Sequence, residues 1–180
     1  QILCDEQVRS IVAAVKAADE DGDLSRLVTL LAATGARFSQ VVRLQVQDVQ
    51  AEPSRIMMPC SRKGRERIDS FTPIPVGEDV INELAPALDG REPIDRLLVR
   101  WRYKQVGVGK WVRVSRAPWQ APAEMLRPWH RACEAAGLKG TVPYALRHSS
   151  IVRAIRLGLP VRLVAALHDT SVVMIERHYG

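Results

Sequence analysis

The spacing of apolar residues limits the fold of this chain more than any other feature of its sequence. One set near the start follows the i, i+3, i+4, i+7 pattern of an amphipathic helix: Val8, Ile11, Val12 and Val15. Asp5 is the predicted N-cap of that helix. A second apolar run, from Leu24 to Leu31, predicts another helix that Gly35 ends, and Ser39 is the predicted cap of a short third helix. The chain is therefore expected to begin with three helices.

Between about Val46 and Val76 the periodicity changes from helix to strand. Residues 55–59 and 68–72 predict two strands around a basic turn, and Pro73 and Pro75 are expected to close this region. Residues 91–120 carry mixed signals and receive no assignment. Further helices are predicted over about 78–88, 121–136 with Pro128 as a kink or boundary, 143–157, 161–167 and 171–179. The sequence thus predicts a mainly α chain with a small antiparallel β-sheet, an α+β fold in a single domain over residues 1–180.

Composition excludes several classes of protein. The chain has 180 residues, of which 47% are hydrophobic, and this content is ordinary for a packed core. No run of 18 apolar residues is present, so no membrane-spanning segment is expected. Cys4, Cys60 and Cys133 are odd in number and far apart, which favours a reducing, cytoplasmic setting over a disulfide framework. The net charge of +6 favours a polyanionic partner.

The positive charge is concentrated in two places. Residues 97–116 hold six Arg or Lys and no acid, with Trp101, Tyr103 and Trp111 between them. Basic residues interleaved with aromatic rings suit a nucleic-acid backbone, although a solvated hairpin whose aromatics pack on the core fits the pattern equally well. A second basic cluster, at 62–67, predicts a hairpin turn. The candidate DNA-binding residues are Arg62, Arg65, Arg100, Arg102, Lys104 and Lys110.

Four sequence segments together resemble the tyrosine recombinases, the phage integrase family. Ala33-Thr34-Gly35-Ala36-Arg37 resembles the family's first arginine box. Pro143-Tyr144-Ala145-Leu146-Arg147-His148-Ser149 resembles its second box, and Leu167-His168-Asp169-Thr170-Ser171, followed by His178-Tyr179, resembles the terminal box. The basic turn at Lys63-Gly64 resembles the family's β-hairpin lysine. Each piece alone is common, but their order and spacing over nearly the whole chain are specific.

The resemblance implies a function and a role for each matching residue. The expected activity is site-specific DNA cleavage and rejoining through a 3′-phosphotyrosine intermediate, with no cofactor, metal or ATP. Arg37 and Arg147 would clamp the non-bridging oxygens of one phosphate, because guanidinium donates in pairs and stays charged. Tyr179 would attack phosphorus, Lys63 would protonate the leaving 5′ oxygen, and His168 would donate a hydrogen bond to the phosphate. Tyr144 occupies the second-box position that faces the phosphate.

The sequence also departs from the family pattern. The acid usual three residues after the first arginine is Gln40, so Arg37 is expected to be held less rigidly. The usual second-box histidine is Tyr144, a poor base, which leaves the proton acceptor for Tyr179 unassigned. His148 lies roughly 100° around a helix from Arg147 and is interpreted as a structural histidine behind the site. His178 is interpreted as structural or as a phosphate contact.

Other interpretations remain open at this stage. His130 and Cys133 have ligand-like spacing, but a packed core pair on one helical face is favoured over a metal site. A type IB topoisomerase, a DNA-binding module with degenerate boxes, and a basic RNA- or protein-binding domain are the alternative functions.

The resemblance also implies which partners the protein has and how much of the full-length protein this sequence represents. Double-stranded DNA is the expected partner, and a homo-tetramer on DNA is expected for the full-length protein, bacterial or phage-derived. Residues 1–180 are expected to be a fragment that lacks an upstream DNA-clamping domain and a C-terminal tail. Such a fragment would be mostly monomeric, with a mobile Tyr179 segment.

Overall fold

A computed structural model describes residues 1–61 and 70–180 of the chain. The α-helices within these ranges are α1 (Asp5–Ala18), α2 (Asp23–Thr34), α3 (Phe38–Val41), α4 (Glu78–Leu88), α5 (Ala123–Ala135), α6 (Tyr144–Arg156), α7 (Val161–Leu167) and α8 (Val172–Tyr179). The strands are β1 (Val49–Gln50), β2 (Arg55–Pro59), β3 (Phe71–Pro75), β4 (Val99–Gly107) and β5 (Lys110–Pro118), and a short 3₁₀ turn covers Val46–Asp48. None of these helices is long and apolar enough to cross a membrane. The predicted α+β class is confirmed.

Helix α2 lies at the centre of the main core, where it packs against α1, α4 and α6. Its apolar side chains Leu27, Val28 and Leu30 are fully buried. Gly35 ends the helix with a left-handed φ of 61°, a conformation that glycine adopts without steric cost. A β-carbon at Gly35 would also lie 2.6 Å from the Ser150 hydroxyl and 2.8 Å from His168. Glycine is therefore required here both by the backbone and by close packing at the base of the candidate site.

The first sheet is small and antiparallel, in the order β1-β2-β3. Its centre is β2, in which Ile56 and Met58 face the core. The sequence placed one strand at 68–72 and expected Pro73 and Pro75 to end it, but β3 runs through both prolines, which pair with Met57 and Arg55. This is possible because β3 is an edge strand. On an edge strand, a proline can lie where its nitrogen faces away from the neighbouring strand, so no hydrogen bond between the strands is lost. The predicted basic turn at 62–67 lies outside the described residues.

The region that the sequence left unassigned forms a second sheet, the hairpin of β4 and β5. Gly109 makes its turn with a φ of 69°. Most side chains beyond Arg102 are exposed, among them Tyr103, Val108 and Trp111. The hairpin therefore projects from the helical body. Tyr103 and Trp111 are exposed, so the alternative prediction, that the hairpin aromatics pack on the core, is wrong for these two residues.

Two helix caps differ from the sequence prediction. Cys4, not Asp5, is the N-cap of α1, and Arg37, not Ser39, is the N-cap of α3. The prediction for the last helix is confirmed: the Ser171 hydroxyl accepts a hydrogen bond from the Met174 backbone N–H at 3.2 Å. Helices α6, α7 and α8 share a second, smaller apolar cluster around Ile151, Val164 and Ile175, and Tyr179 packs against it. This cluster fixes the end of α8 beside α6.

Candidate active site

Four of the predicted catalytic residues line one cavity of about 260 Å³: Arg37, Tyr144, Arg147 and Tyr179. They arrive from the loop after α2, the first turn of α6 and the end of α8. The rest of the wall is formed by Ile151, Thr170, Met174, Ile175 and the histidines His148 and His178. Segments separated by more than a hundred residues thus converge on one concave surface.

Arg147 is the most deeply placed charge in this cavity. It is only 3% exposed, and its guanidinium donates to the Gly35 carbonyl at 2.9 Å and the His168 carbonyl at 2.6 Å. Within the described ranges no carboxylate pairs with it. Burial, followed by the nearby Arg37 charge, lowers the pKa of Arg147, but a guanidinium starts so high that it stays charged at neutral pH. Tyr144 also forms a side-chain hydrogen bond with Arg147. A buried cation that pairs with no described carboxylate favours an anion in the adjoining space.

Arg37 is held by contacts from two distant segments. Its guanidinium donates to the Ser61 hydroxyl at 3.0 Å and to the backbone carbonyl and carboxylate of Asp169 at 2.9 and 3.2 Å. The Asp169 carboxylate also accepts from the Ser61 backbone N–H at 2.7 Å. Neither Asp169 nor Ser61 was identified from the sequence. Together they bring Ser61, the last described residue before position 70, next to Arg37.

Gln40 supports the same arrangement without a charge. Its side-chain oxygen accepts from the Arg37 backbone N–H at 3.0 Å, and its amide donates to the Pro59 carbonyl at 2.9 Å. The sequence predicted a less rigid Arg37 because Gln40 replaces an acid. The structure supplies a carboxylate from Asp169 instead.

Tyr179 meets His148 across the cavity. The Tyr179 hydroxyl lies 2.5 Å from His148 Nδ1. Burial, and next the neighbouring Tyr144, raise the pKa of Tyr179, while Arg147 acts in the opposite direction. The interpretation of His148 as a structural residue behind the site is therefore wrong. It failed because Arg147 and His148, although consecutive on α6, both border the cavity.

Tyr144 occupies the mouth of the cavity. Its side chain is 49% exposed, and its ring meets the His148 ring edge to face at 4.8 Å. Tyr144 lines the cavity, and its contact with a phosphate stays a prediction. His178 also lines the cavity, and its two predicted roles, structural or phosphate contact, both stay predictions.

His168 is not among the described residues that line the cavity, and its role as a phosphate donor stays a prediction. The side chain is 4% exposed, with Nδ1 2.9 Å from the Val164 carbonyl and Nε2 2.9 Å from the Ser150 hydroxyl. Because a carbonyl only accepts, Nδ1 carries the proton and Nε2 accepts from Ser150. Burial lowers the pKa of His168, so the ring is neutral. In this arrangement His168 braces Arg147 through its backbone carbonyl, and its ring nitrogens are both engaged.

No group of three or more His, Cys, Asp or Glu side chains in the described ranges is arranged to hold a metal ion. The predicted core pair of His130 and Cys133 is only half right, because Cys133 is buried and His130 is exposed on α5. Burial raises the pKa of the Cys133 thiol to about 11.

The basic residues of the β4–β5 hairpin fall into two groups, arginines that pair with acidic side chains of the helical body and lysines near the tip. Arg100 and Arg102 both contact Glu124 on α5, and Arg100 also lies over the Trp119 ring at 5.0 Å. On the other side, Arg113 pairs with Asp21 at 2.8 Å, and Arg116 pairs with Asp23. Lys104 and Lys110, nearer the tip, are exposed and form no ion pair with any described residue. The arginines at the base therefore fasten the hairpin to the body, whereas the lysines remain available.

Three predicted residues cannot be placed. Lys63, Arg62 and Arg65 lie outside the described residues, so their roles stay predictions. Ser61, which immediately precedes them, contacts Arg37.

Comparison with solved structures identifies the class of fold. XerA recombinase shares 21% identity with a TM-score of 0.70, covering 98% of this chain and 57% of that chain. A Tn1549 transposon integrase in complex with a circular intermediate DNA shares 17% identity with a TM-score of 0.71, covering 100% and 61%. The catalytic domain of bacteriophage HP1 integrase shares 16% identity with a TM-score of 0.63, covering 99% and 86%. The fold is thus that of a tyrosine recombinase catalytic domain, and the chain spans about three fifths of the length of the first two proteins.

Sequence comparison gives the family directly. The model of the phage integrase family matches residues 1–179. The chain therefore belongs to the phage integrase family, as its ordered boxes predicted. A search of curated protein sequences returns no match.

Proposed function

We propose that this chain is the catalytic part of a site-specific DNA recombinase that cleaves and rejoins DNA through a covalent 3′-phosphotyrosine link. The observation that carries the proposal is the convergence of Arg37, Arg147, Tyr144 and Tyr179 on one cavity of about 260 Å³. Arg147 and Arg37 supply fixed positive charge for a phosphate that gains negative charge in the transition state.

The chemistry follows from these groups. Tyr179 attacks phosphorus and forms a P–O bond to its phenolic oxygen while the P–O5′ bond breaks. Lys63 is the proposed donor of the proton that the 5′ oxygen takes up. Attack by a new 5′-hydroxyl reverses the step, and the phosphotyrosine bond conserves the energy of the broken bond. The arginines and Tyr144 bind the phosphate throughout.

The proposed partner is double-stranded DNA. The tip lysines Lys104 and Lys110 and the proposed contacts Arg62 and Arg65 would bind phosphates outside the cleaved site. The Tn1549 integrase relative is solved in complex with DNA, which supports this proposal. A homo-tetramer on DNA is the proposed assembly of the whole protein, acting at the nucleoid.

The experiment must work without a known target site. A pool of duplexes with randomised sequence around a nick traps cleavage, because the short fragment released at the nick cannot religate. Complexes that resist denaturant are captured and their DNA sequenced. The proposal predicts an adduct of enriched sequence that forms equally in excess chelator. Absence of any adduct across the pool contradicts it. Relaxation of supercoiled plasmid without sequence enrichment indicates a topoisomerase instead.

A further inference from the structure

The contact between His148 and Tyr179 points to a residue that the family pattern leaves unassigned. Tyr144 stands where a histidine is usual, and a phenol is a poor base near neutral pH. His168 is buried, with both ring nitrogens occupied. Of the basic nitrogens in the described residues around the cavity, His148 Nδ1 is the one in contact with the Tyr179 hydroxyl, at 2.5 Å.

We propose that His148 is the general base that takes the proton from Tyr179 as its oxygen attacks phosphorus. This inference rests on the proposed function. The Tyr179 proton moves to His148 Nδ1, the phenolic oxygen bonds to phosphorus, and the P–O5′ bond breaks with its electron pair on O5′. O5′ takes its proton from the acid proposed as Lys63. On religation the imidazolium returns the proton to the departing Tyr179 oxygen.

The surroundings of His148 suit an acceptor. Its ring is partly buried, packed edge to face on Tyr144, and tilted against Tyr179 with ring centroids 5.6 Å apart. For Nδ1 to accept, Nε2 carries the ring proton. The contacts with Tyr144 and Tyr179 restrict the orientation of the His148 ring. Its Nδ1 therefore faces the Tyr179 hydroxyl before DNA binds.

Burial and neighbouring positive charges keep His148 neutral. Burial lowers its pKa most, and Arg147 on α6 and His178 on α8 act in the same direction. A base whose pKa lies below its usual value near 6.5 is unprotonated at neutral pH. Conversely, burial raises the pKa of Tyr179, so attack at neutral pH requires a proton acceptor. Activity should therefore be present above the His148 pKa and be lost as the pH falls through it.

The test uses three variants and the trapped-adduct rate at saturating DNA. His148→Asn keeps a hydrogen-bond acceptor near the Nδ1 position but cannot take a proton. The expected loss is roughly 10²- to 10⁴-fold, the range for a general base, together with loss of the acidic limb of the pH profile. Added imidazole should restore part of the rate of His148→Ala. His130→Asn, an exposed histidine on α5, is the matched control and should leave rate and profile unchanged.

The outcomes distinguish a failure of the His148 assignment from a failure of the proposed function. A wild-type protein that forms no adduct overturns both. A wild-type adduct together with His148→Asn that keeps its rate and acidic limb overturns the His148 assignment alone. A substrate with sulfur in place of the bridging 5′ oxygen needs no acid, so it should not rescue His148→Asn. Rescue by that substrate would mean that His148 acts on the leaving group.

Discussion

The guanidinium of Arg37 donates to both the backbone carbonyl and the carboxylate of Asp169, at 2.9 and 3.2 Å, although the two residues lie 132 positions apart. Asp169 adopts a left-handed φ of 47°, which Asp tolerates better than most residues. This turn directs its carboxylate back to Ser61, Gln40 and Arg37. The one residue therefore ties the first arginine to the strand end that leads into the 62–69 segment.

Asp169→Asn should slow adduct formation by about 10- to 100-fold, because a charge-assisted hydrogen bond to Arg37 contributes about 1.5–3 kcal/mol. The rate at saturating DNA measures the loss. Asp21→Asn, which removes the carboxylate paired with Arg113 on the hairpin, is the matched control and should leave this rate unchanged.

Gln40 provides a second check of the same relationship. Its amide lies 3.4 Å from the Asp169 carboxylate, so Gln40→Glu alone places two carboxylates side by side and should reduce activity. In the Asp169→Asn background, Gln40→Glu should instead recover part of the rate. If the two substitutions are simply additive, Arg37 is not positioned by a carboxylate at this point.

The hairpin should bind DNA through its tip more than its base. Lys104→Ala and Lys110→Ala should each reduce the slope of log K against log salt by about one, as expected when one phosphate contact is lost. Arg102→Ala should change the slope less, because Glu124 already neutralises that arginine. Affinity measured across a salt series tests this. Equal slopes for Arg102→Ala and Lys104→Ala would mean that DNA displaces Glu124.

Lys63 can be tested although it lies outside the described residues. Lys63→Ala should slow cleavage strongly by removing the proton donor. The sulfur-substituted substrate has a better leaving group and should recover much of that rate. Arg62→Ala and Arg65→Ala should mainly weaken binding. Rescue of one of these variants, with none for Lys63→Ala, would place the acid elsewhere in the turn.

The sequence predicted most helices because their apolar faces are buried, and it located four cavity residues through ordered motifs. The β4–β5 hairpin was not assigned although apolar and basic residues alternate over residues 99–104, because two glycines and many arginines in the region obscured the pattern. Asp169 could not be recognised as a partner of Arg37 since that contact depends on tertiary packing.

The structure places both histidines differently from the sequence-based expectation, and the reasons are related. A rotation of 100° along α6 separates His148 from Arg147, but the cavity extends far enough around the helix to include both. For His168, the terminal box fixes its place in the chain, whereas the Val164 carbonyl one turn earlier captures its Nδ1. A motif identifies a position, and the local hydrogen bonds decide which way the side chain points.

The identity of the attacking atom tests the account most directly. Adduct trapped from the nicked pool is digested, and the peptide carrying the nucleotide is sequenced by mass spectrometry. We predict that the nucleotide is attached to Tyr179. We also predict that Tyr179→Phe abolishes the adduct with DNA affinity nearly unchanged, while Tyr144→Phe still forms it. An adduct that persists in Tyr179→Phe and disappears in Tyr144→Phe would contradict the assignment of Tyr179 as the nucleophile.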